Sequence, residues 1–446
     1  MSTTVSHPAG DAHKAPDPPH RIPTWLKVCS VITLILQGSL LFVAFFEPAL
    51  PYIVSNPRED SVDSEQFFKT LAALTEAYVA TDSIIQVLPN GENYYPAELQ
   101  AIRSATKTIS LEAYIFEDGK VGPQFIDALA ERARAGVKVN VVLDAVGSTG
   151  LSKSQINRLT SAGGHFAWYM PLRWYSWTQL NDRTHRELLI VDGRIGFIGG
   201  SGWADHWLYP EGKNKNRWRD TMVRVEGSAV TGLQAAFSEN WLEASGKVNT
   251  GKDYFPFQNK TGDATALIVP SSRTTGRSTR ARVLFHVLVA AAKKRIHIST
   301  PYFLPDASLS DELVRAIDRG VEVKILTPGA LTDHALTRRS SRRLMGPLLK
   351  AGAGIWEYQG SMLHAKVMLI DDLWAVVGST NMDSRSFRLN DEVNLATPNA
   401  NVVGKLETDF QGDLQRGTKV RYEEWRHRGI AERIHELFGS LFQRQE

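Results

Sequence analysis

The sequence predicts an α/β fold built from two tandem units that pack as a pseudo-dimer, and three observations predict it. A series of strand- and helix-patterned segments runs twice along the chain. The joints between these segments also correspond: Ala135-Gly136-Val137-Lys138-Val139 is matched by Arg319-Gly320-Val321-Glu322-Val323, each with a glycine closing a helix. Finally, a polar pattern recurs near the end of each series. His185-Arg186-Glu187, Asp192 and Gly199-Gly200-Ser201-Gly202 stand in the same register as His364-Ala365-Lys366, Asp371 and Gly378-Ser379-Thr380-Asn381. Strands alternating with helices of this length imply a mostly parallel sheet, and a pseudo-two-fold axis between the units brings both histidine strands to one central cleft.

The elements follow in order. Residues 1–27 form a tail rich in Pro, His, Ala and Asp without apolar periodicity. Val28 to Phe46 carries no charge, and at about 1.5 Å per residue it reaches about 28 Å, enough for a transmembrane helix. Trp25 and Lys27 before it, and Pro48, Pro51 and Tyr52 after it, suit the two membrane interfaces. Its length and the lack of a small-x-small cleavage site favour an uncleaved anchor over a signal peptide. Lys14, Arg21 and Lys27 precede the span and Arg58 follows it, which places the tail in the cytoplasm and the large part on the outer face of the membrane. Residues 47–82 form a linker whose segment Ser64 to Ala77 has helical apolar spacing at Phe67, Phe68, Leu71, Leu74 and Ala77.

The first unit, residues 83–250, reads as strand Ile84 to Leu88, helix Ala97 to Thr106, strand Ile109 to Phe116, helix Pro123 to Ala135 and strand Val137 to Leu143. The second, residues 251–446, reads as strand Ala266 to Val269, helix Ala281 to Lys293, strand Ile296 to Phe303, helix Leu309 to Arg319 and strand Val321 to Leu326. Each then ends in its histidine strand.

A chain of 446 residues accommodates two such domains, and a net charge of +3 votes neither for nor against nucleic acid. Cys29 is the only cysteine, which excludes an intrachain disulfide framework and a cysteine zinc site. His206, His286, His297 and His334 are scattered, so neither a metal nor another cofactor is expected.

On a strand, His364 and Lys366 project from one face, and Ser379 and Asn381 repeat that relation on the next strand. An imidazole, an ammonium, a hydroxyl and a carboxamide then converge on one small volume, matching the non-bridging oxygens of a phosphate. In the first unit Gly200 and Ser201 are the candidate phosphate-binding residues, in the places of Ser379 and Thr380. Asp371 suits the tying of a turn better than contact with substrate, and Asp192, in the same register, is a further candidate of the site. A phosphodiester needs a nucleophile on one side and a proton donor on the other. Two histidines supply both, with roles that reverse when water or an alcohol attacks the phosphohistidine. Each needs a carboxylate behind it to hold its tautomer. Asp220, in Arg217-Trp218-Arg219-Asp220-Thr221, and Glu392, in Leu389-Asn390-Asp391-Glu392-Val393, are the candidates. The residues alone do not say which histidine attacks.

This pattern resembles the phospholipase D superfamily, whose signature is His-x-Lys-x4-Asp followed by Gly-Ser-x-Asn, and is most similar to its bacterial cardiolipin synthase branch. The similarity spans roughly residues 84–446 and includes Glu112-Ala113-Tyr114-Ile115-Phe116, Thr300-Pro301-Tyr302-Phe303 and Asn390-Asp391-Glu392-Val393-Asn394. It implies two phospholipase D-like α/β/α domains and metal-independent catalysis, with His185 as nucleophile and His364 as general acid. The implied substrate is phosphatidylglycerol, two molecules giving cardiolipin and glycerol. Many such synthases carry two membrane spans, whereas this chain shows one.

Two departures stand out: Glu187 replaces the lysine of the first motif, and Gly202 replaces its asparagine. In one reading Arg183, on the same strand face, supplies the missing charge and pairs with Glu187. In the other, the first motif has decayed and the protein binds phosphate without turnover. The persistence of His185, Asp192, Asp220 and the whole second motif favours activity. A phospholipase D releasing phosphatidic acid, a metal-independent nuclease and a silent lipid-binding protein are the alternatives. Phe166 to Trp177 reads as an aromatic loop at the cleft mouth or a cover over the seam. Arg338, Arg339, Arg342 and Arg343, followed by Leu344, Met345, Leu348 and Leu349, read as a basic helix. The expected partners are anionic phospholipid and a membrane, with no obligatory nucleic acid.

Overall fold

The computed structural model describes residues 23–46, 52–57, 59–171, 182–210, 216–258, 261–272, 279–429, 432, 433 and 436, with the side chains of the first helix described as far as residue 40. The chain forms two compact units, Met1–Leu50 and Pro51–Glu446. The first contains a helix of 23 residues, Thr24–Phe46, on which Val28, Ile32, Leu36 and Leu40 are exposed. Among the described residues no helix is long and apolar enough to cross a membrane, so the expected span at Val28 to Phe46 is seen as a helix only.

The second unit is organised around one 15-stranded sheet whose strand order is mirrored about its centre. From the middle outward, one side runs Tyr78–Pro89, Thr221–Glu226, Ile195–Gly199, Glu187–Val191, Thr108–Ala113, Lys138–Asp144 and His165–Tyr169. The other runs Ala264–Ser271, Glu392–Thr397, Trp374–Gly378, Val367–Ile370, Arg295–Ser299, Glu322–Pro328 and Gly354–Tyr358, with Gly417–Val420 beyond. Strand by strand, the second series repeats the first. The halves meet in the antiparallel pair Tyr78–Pro89 and Ala264–Ser271, so their sheets are continuous.

The expectation of a mostly parallel sheet is corrected. Parallel pairing is confined in this sheet to the outer strands, such as Thr108–Ala113 with Lys138–Asp144 and Arg295–Ser299 with Glu322–Pro328. The inner strands are antiparallel because each histidine strand folds straight back as a hairpin. Both central residues of each turn have positive φ: Asp192 at 54° and Gly193 at 61°, Asp371 at 55° and Asp372 at 60°. That is the backbone of a tight two-residue hairpin turn.

The helices cover the sheet by burying one apolar stripe each. Val121–Arg134 buries Phe125 and Leu129 in one cluster with Leu111 and Val139. Ala307–Asp318 buries Leu309 and Leu313 in another with Ile298 and Val323. Each ends at the expected glycine, Gly136 and Gly320, with φ of 87° and 89°. In the linker, the helix Glu65–Leu74 is capped by the Ser64 hydroxyl and sets Phe67 and Phe68 against Trp374.

The expected strands to Phe116 and Phe303 end earlier, at Ala113 and Ser299. Phe116 then bridges to Trp203, and Phe303 pairs with Met382 in equivalent places. Of the expected aromatic loop, Phe166 to Tyr169 form part of the edge strand, and residues 172–181 lie outside the described residues. The basic segment is the helix Ala335–Ala351, but Arg338 and Arg342 both pair with Glu357 and are thus engaged within the fold.

Candidate active site

Two short backbone bridges build the site across the seam. Thr184 bridges Asp391 in parallel register, and His185 N donates to Asp391 O at 2.8 Å. On the other side of the dyad Arg219 bridges Leu363, and His364 N donates to Arg219 O at 2.7 Å. Each histidine is thereby laid beside the carboxylate that follows its bridge partner in the opposite half. His185 Nδ1 lies 3.1 Å from Glu392 Oε2, and His364 Nδ1 lies 2.8 Å from Asp220 Oδ2. A carboxylate at Nδ1 holds the proton there, which leaves Nε2 as the lone-pair nitrogen of the neutral ring.

Both histidines line one cavity of about 390 Å³, together with Tyr114, Arg183, Asn381 and Arg385. The carboxylates lie behind them and are themselves held. Asp220 accepts from Thr221 N at 2.7 Å and Trp207 Nε1 at 3.0 Å, while Ser379 Oγ donates to Glu392 Oε2. Arg186 is fully buried and crosses the seam, donating to the Glu392 carbonyl, to the Ala236 carbonyl and to Glu239. Behind Thr184, the Glu112 carboxyl is pushed up to about 7, chiefly by burial, and accepts from Thr184 Oγ1 and Asn240 Nδ2.

Lys366 is buried and donates to the His364 carbonyl at 3.0 Å, with its Nζ 3.1 and 3.3 Å from the two ring nitrogens. Gly200 makes room for it: a Cβ there would stand 2.8 Å from Lys366 Cδ and 2.9 Å from Nζ. Burial, then the adjacent ammonium, holds His364 below the usual imidazole range, against the pull of Asp220. The sign of one test follows. Removing the ammonium favours the imidazolium, so Lys366→Met should move the alkaline limb of the kcat/KM profile to higher pH. The maximal rate should fall about 10²–10³-fold because a buried cation beside the His364 ring is lost. An unmoved limb in pH-rate measurements would separate Lys366 from the titration of His364.

The structure brings His185, His364, Lys366, Asp220, Glu392, Asn381, Gly200 and Arg183 together and removes others. Asp192 and Asp371 lie at the far ends of the histidine strands, beyond Val191 and Ile370. There they accept backbone N–H groups, from Thr106 to Thr108 and from Lys293 to Arg295 respectively. They are turn ties rather than groups that meet substrate. Ser379 and Ser201 are corrected as phosphate ligands: the first is committed to Glu392, and the buried Ser201 hydroxyl donates to Tyr94 Oη at 2.7 Å. Arg183 is paired with Asp144 at 3.4 Å and donates to the Met170 carbonyl, rather than forming the expected pair with Glu187. Glu187 is buried with Oε1 on the N–H groups of Tyr114 and Ile115.

Sequence reasoning missed the aromatic surround. Trp207 and Trp218 stand 5.4 and 5.3 Å from the His364 ring, with His206 between them, held down to about 3 by burial. His334, in sequence only one of four scattered histidines, lines the cavity beside Asp333, which accepts from Tyr302 Oη. The only sequence signal for these residues was their position directly after the motifs or strand ends.

The model of the family described as cardiolipin synthase, PLD-like domain, matches residues 99–241 and 286–414. A probable cardiolipin synthase of Bacillus subtilis, YwiE, is 34% identical over 385 residues, covering 85% of this chain and 76% of that protein. The major cardiolipin synthase ClsA of Bacillus subtilis is 35% identical, covering 85% and 79%. A crystal structure of the phosphatidylserine synthase of Haemophilus influenzae superposes with a TM-score of 0.65 at 14% identity, covering 86% of this chain and all of that one, a likeness of fold. With both of its histidine units inside the matched regions, the chain belongs to the PLD-like-domain cardiolipin synthase family.

Proposed function

We propose that the protein is a phosphatidyltransferase that makes cardiolipin from two phosphatidylglycerol molecules through a phosphohistidine. The observation that carries this is the pair of imidazoles on one cavity, each with Nδ1 on a carboxylate of the other half. Cardiolipin synthases among the relatives support the same chemistry. In the first step neutral His185 Nε2 attacks phosphorus, the bond to the headgroup glycerol oxygen breaks, and imidazolium His364 gives that oxygen its proton. In the second, a glycerol hydroxyl of another phosphatidylglycerol attacks the phosphohistidine, and its proton passes to neutral His364. The order of the histidines follows the family resemblance. Lys366 and Asn381 face the phosphate; the Asn381 Oδ1 is buried without a partner among the described residues.

The helix Thr24–Phe46 serves in this reading as the membrane attachment of the N-terminal part, with the catalytic unit on the outer face. Its exposed apolar side chains support that role.

The test uses the full chain in micelles with labelled phosphatidylglycerol. Cardiolipin and free glycerol are expected; phosphatidic acid instead would make it a hydrolase. Without either product, phosphatidyl transfer is refuted. In membranes, the full chain should resist alkaline carbonate extraction, and its release would refute the anchor.

A further inference from the structure

Two of the places where the first motif departs from the second, Glu187 and Gly202, meet one short piece of backbone, Tyr114-Ile115. Glu187 stands where the second motif has Lys366, and Gly202 where it has Asn381. From one side, Glu187 Oε1 accepts from Tyr114 N at 3.2 Å and Ile115 N at 3.4 Å. From the other, the Ile115 carbonyl accepts from Trp203 N at 2.9 Å and occupies the place a Cβ on residue 202 would need. A side chain at 202 therefore displaces the segment that Glu187 holds.

The second half shows why its own residues differ. The equivalent pairings Phe116 with Trp203 and Phe303 with Met382 make Pro301 the counterpart of Tyr114. Proline has no N–H, so that half offers no such pair of donors to a carboxylate. There the lysine turns onto His364 instead. In the first half, Tyr114 and Ile115 form a wall of the cavity, and the Tyr114 ring meets His185 edge-on at 5.4 Å.

We propose that Glu187 and Gly202 are a matched pair of positioning residues. They seat Tyr114 and Ile115 as the cavity wall against His185, so that the site works with one lysine and is impaired by restoring the usual lysine or asparagine. This rests on the phosphatidyl-transfer reading above. Charge is no obstacle to it. Burial holds the Glu187 carboxyl well above the usual carboxylate range, outweighing the two N–H groups and Lys366, which favours its neutral form. Its Oε2, buried without an acceptor or donor among the described residues, then carries the proton, which costs less than an orphaned anion. A lysine at 187 would instead press an ammonium on two N–H donors that have lost their acceptor.

A decayed motif predicts the opposite sign, so the experiment decides between them. Wild type, Glu187→Gln, Glu187→Lys, Gly202→Asn and the Lys/Asn double variant are compared in the micelle assay, with thermal unfolding as a check of folding. Glu187→Gln keeps an acceptor and neutrality, and should stay within about threefold of wild type in kcat and KM, with an unchanged pH profile. Glu187→Lys and Gly202→Asn should each lower kcat about 10–100-fold with less change in KM, and the double variant should recover nothing. Activity at or above wild type in Glu187→Lys or the double variant would overturn the proposal. So would a loss in Glu187→Gln as deep as in Glu187→Lys. If Glu187→Lys does not fold, Glu187→Leu takes its place, and a wild-type kcat there is equally fatal. Should wild type itself lack turnover, the functional reading fails separately, and calorimetric binding of orthovanadate carries the test. Binding about tenfold weaker in Glu187→Lys and Gly202→Asn is expected, and stronger binding in either would refute the pairing.

Discussion

Replacing His185 by alanine should lower phosphatidyl transfer by about 10⁴–10⁶-fold, and His364→Ala should do the same, because the two imidazoles act as one unit. They separate on a substrate whose leaving group needs no proton. With a nitrophenyl phosphodiester, His364→Ala should still release nitrophenol and accumulate an alkali-stable phosphoenzyme, whereas His185→Ala should do neither. Rapid-quench measurement of the labelled protein checks this. If His185→Ala retains the burst and His364→Ala loses it, the order of the two residues is the reverse. Both line the same cavity, so the protein's architecture permits either order; the test assigns it.

The second large effect is expected from groups that never touch the substrate. Asp220→Asn should cost about 10³–10⁴-fold in kcat, and Glu392→Gln a similar factor. Each carboxylate accepts the Nδ1 proton of a histidine in the opposite half. An amide can turn its own N–H toward Nδ1, moving the ring proton to Nε2, the atom that must attack or accept. Nitrogen chemical shifts of the labelled histidines distinguish that tautomer from mere displacement. Loss of activity with the Nε2 lone pair intact would reject the account.

Much of this was legible in the residues. The glycine joints and the recurrence of the motifs give the duplication, and the strand spacing places the histidines and Lys366 together. What was not legible is of one physical kind: contacts made across the dyad or between distant loops. Nothing local in Asp220 says that it serves His364, 144 positions away. Ser379 has the right spacing for a phosphate ligand, yet its hydroxyl is taken by Glu392. Arg183 lies on the expected face, but the nearby Asp144, from another strand, claims it. The sheet was misjudged because strand–helix alternation is visible in sequence, while the hairpins that reverse the inner strands rest on only two residues each.

The crossed carboxylates also bear on how the two copies have been free to diverge since their duplication. Glu187 and Gly202 contact residues of their own half, so a change at one can be compensated by a neighbour inherited with it. Asp220 and Glu392 have no such freedom, since each is the working part of the other copy's histidine. A founding molecule with one unit must have met a second copy of itself to complete either pair. The two halves of the present chain can therefore differ most freely away from the contacts by which each completes the other's histidine.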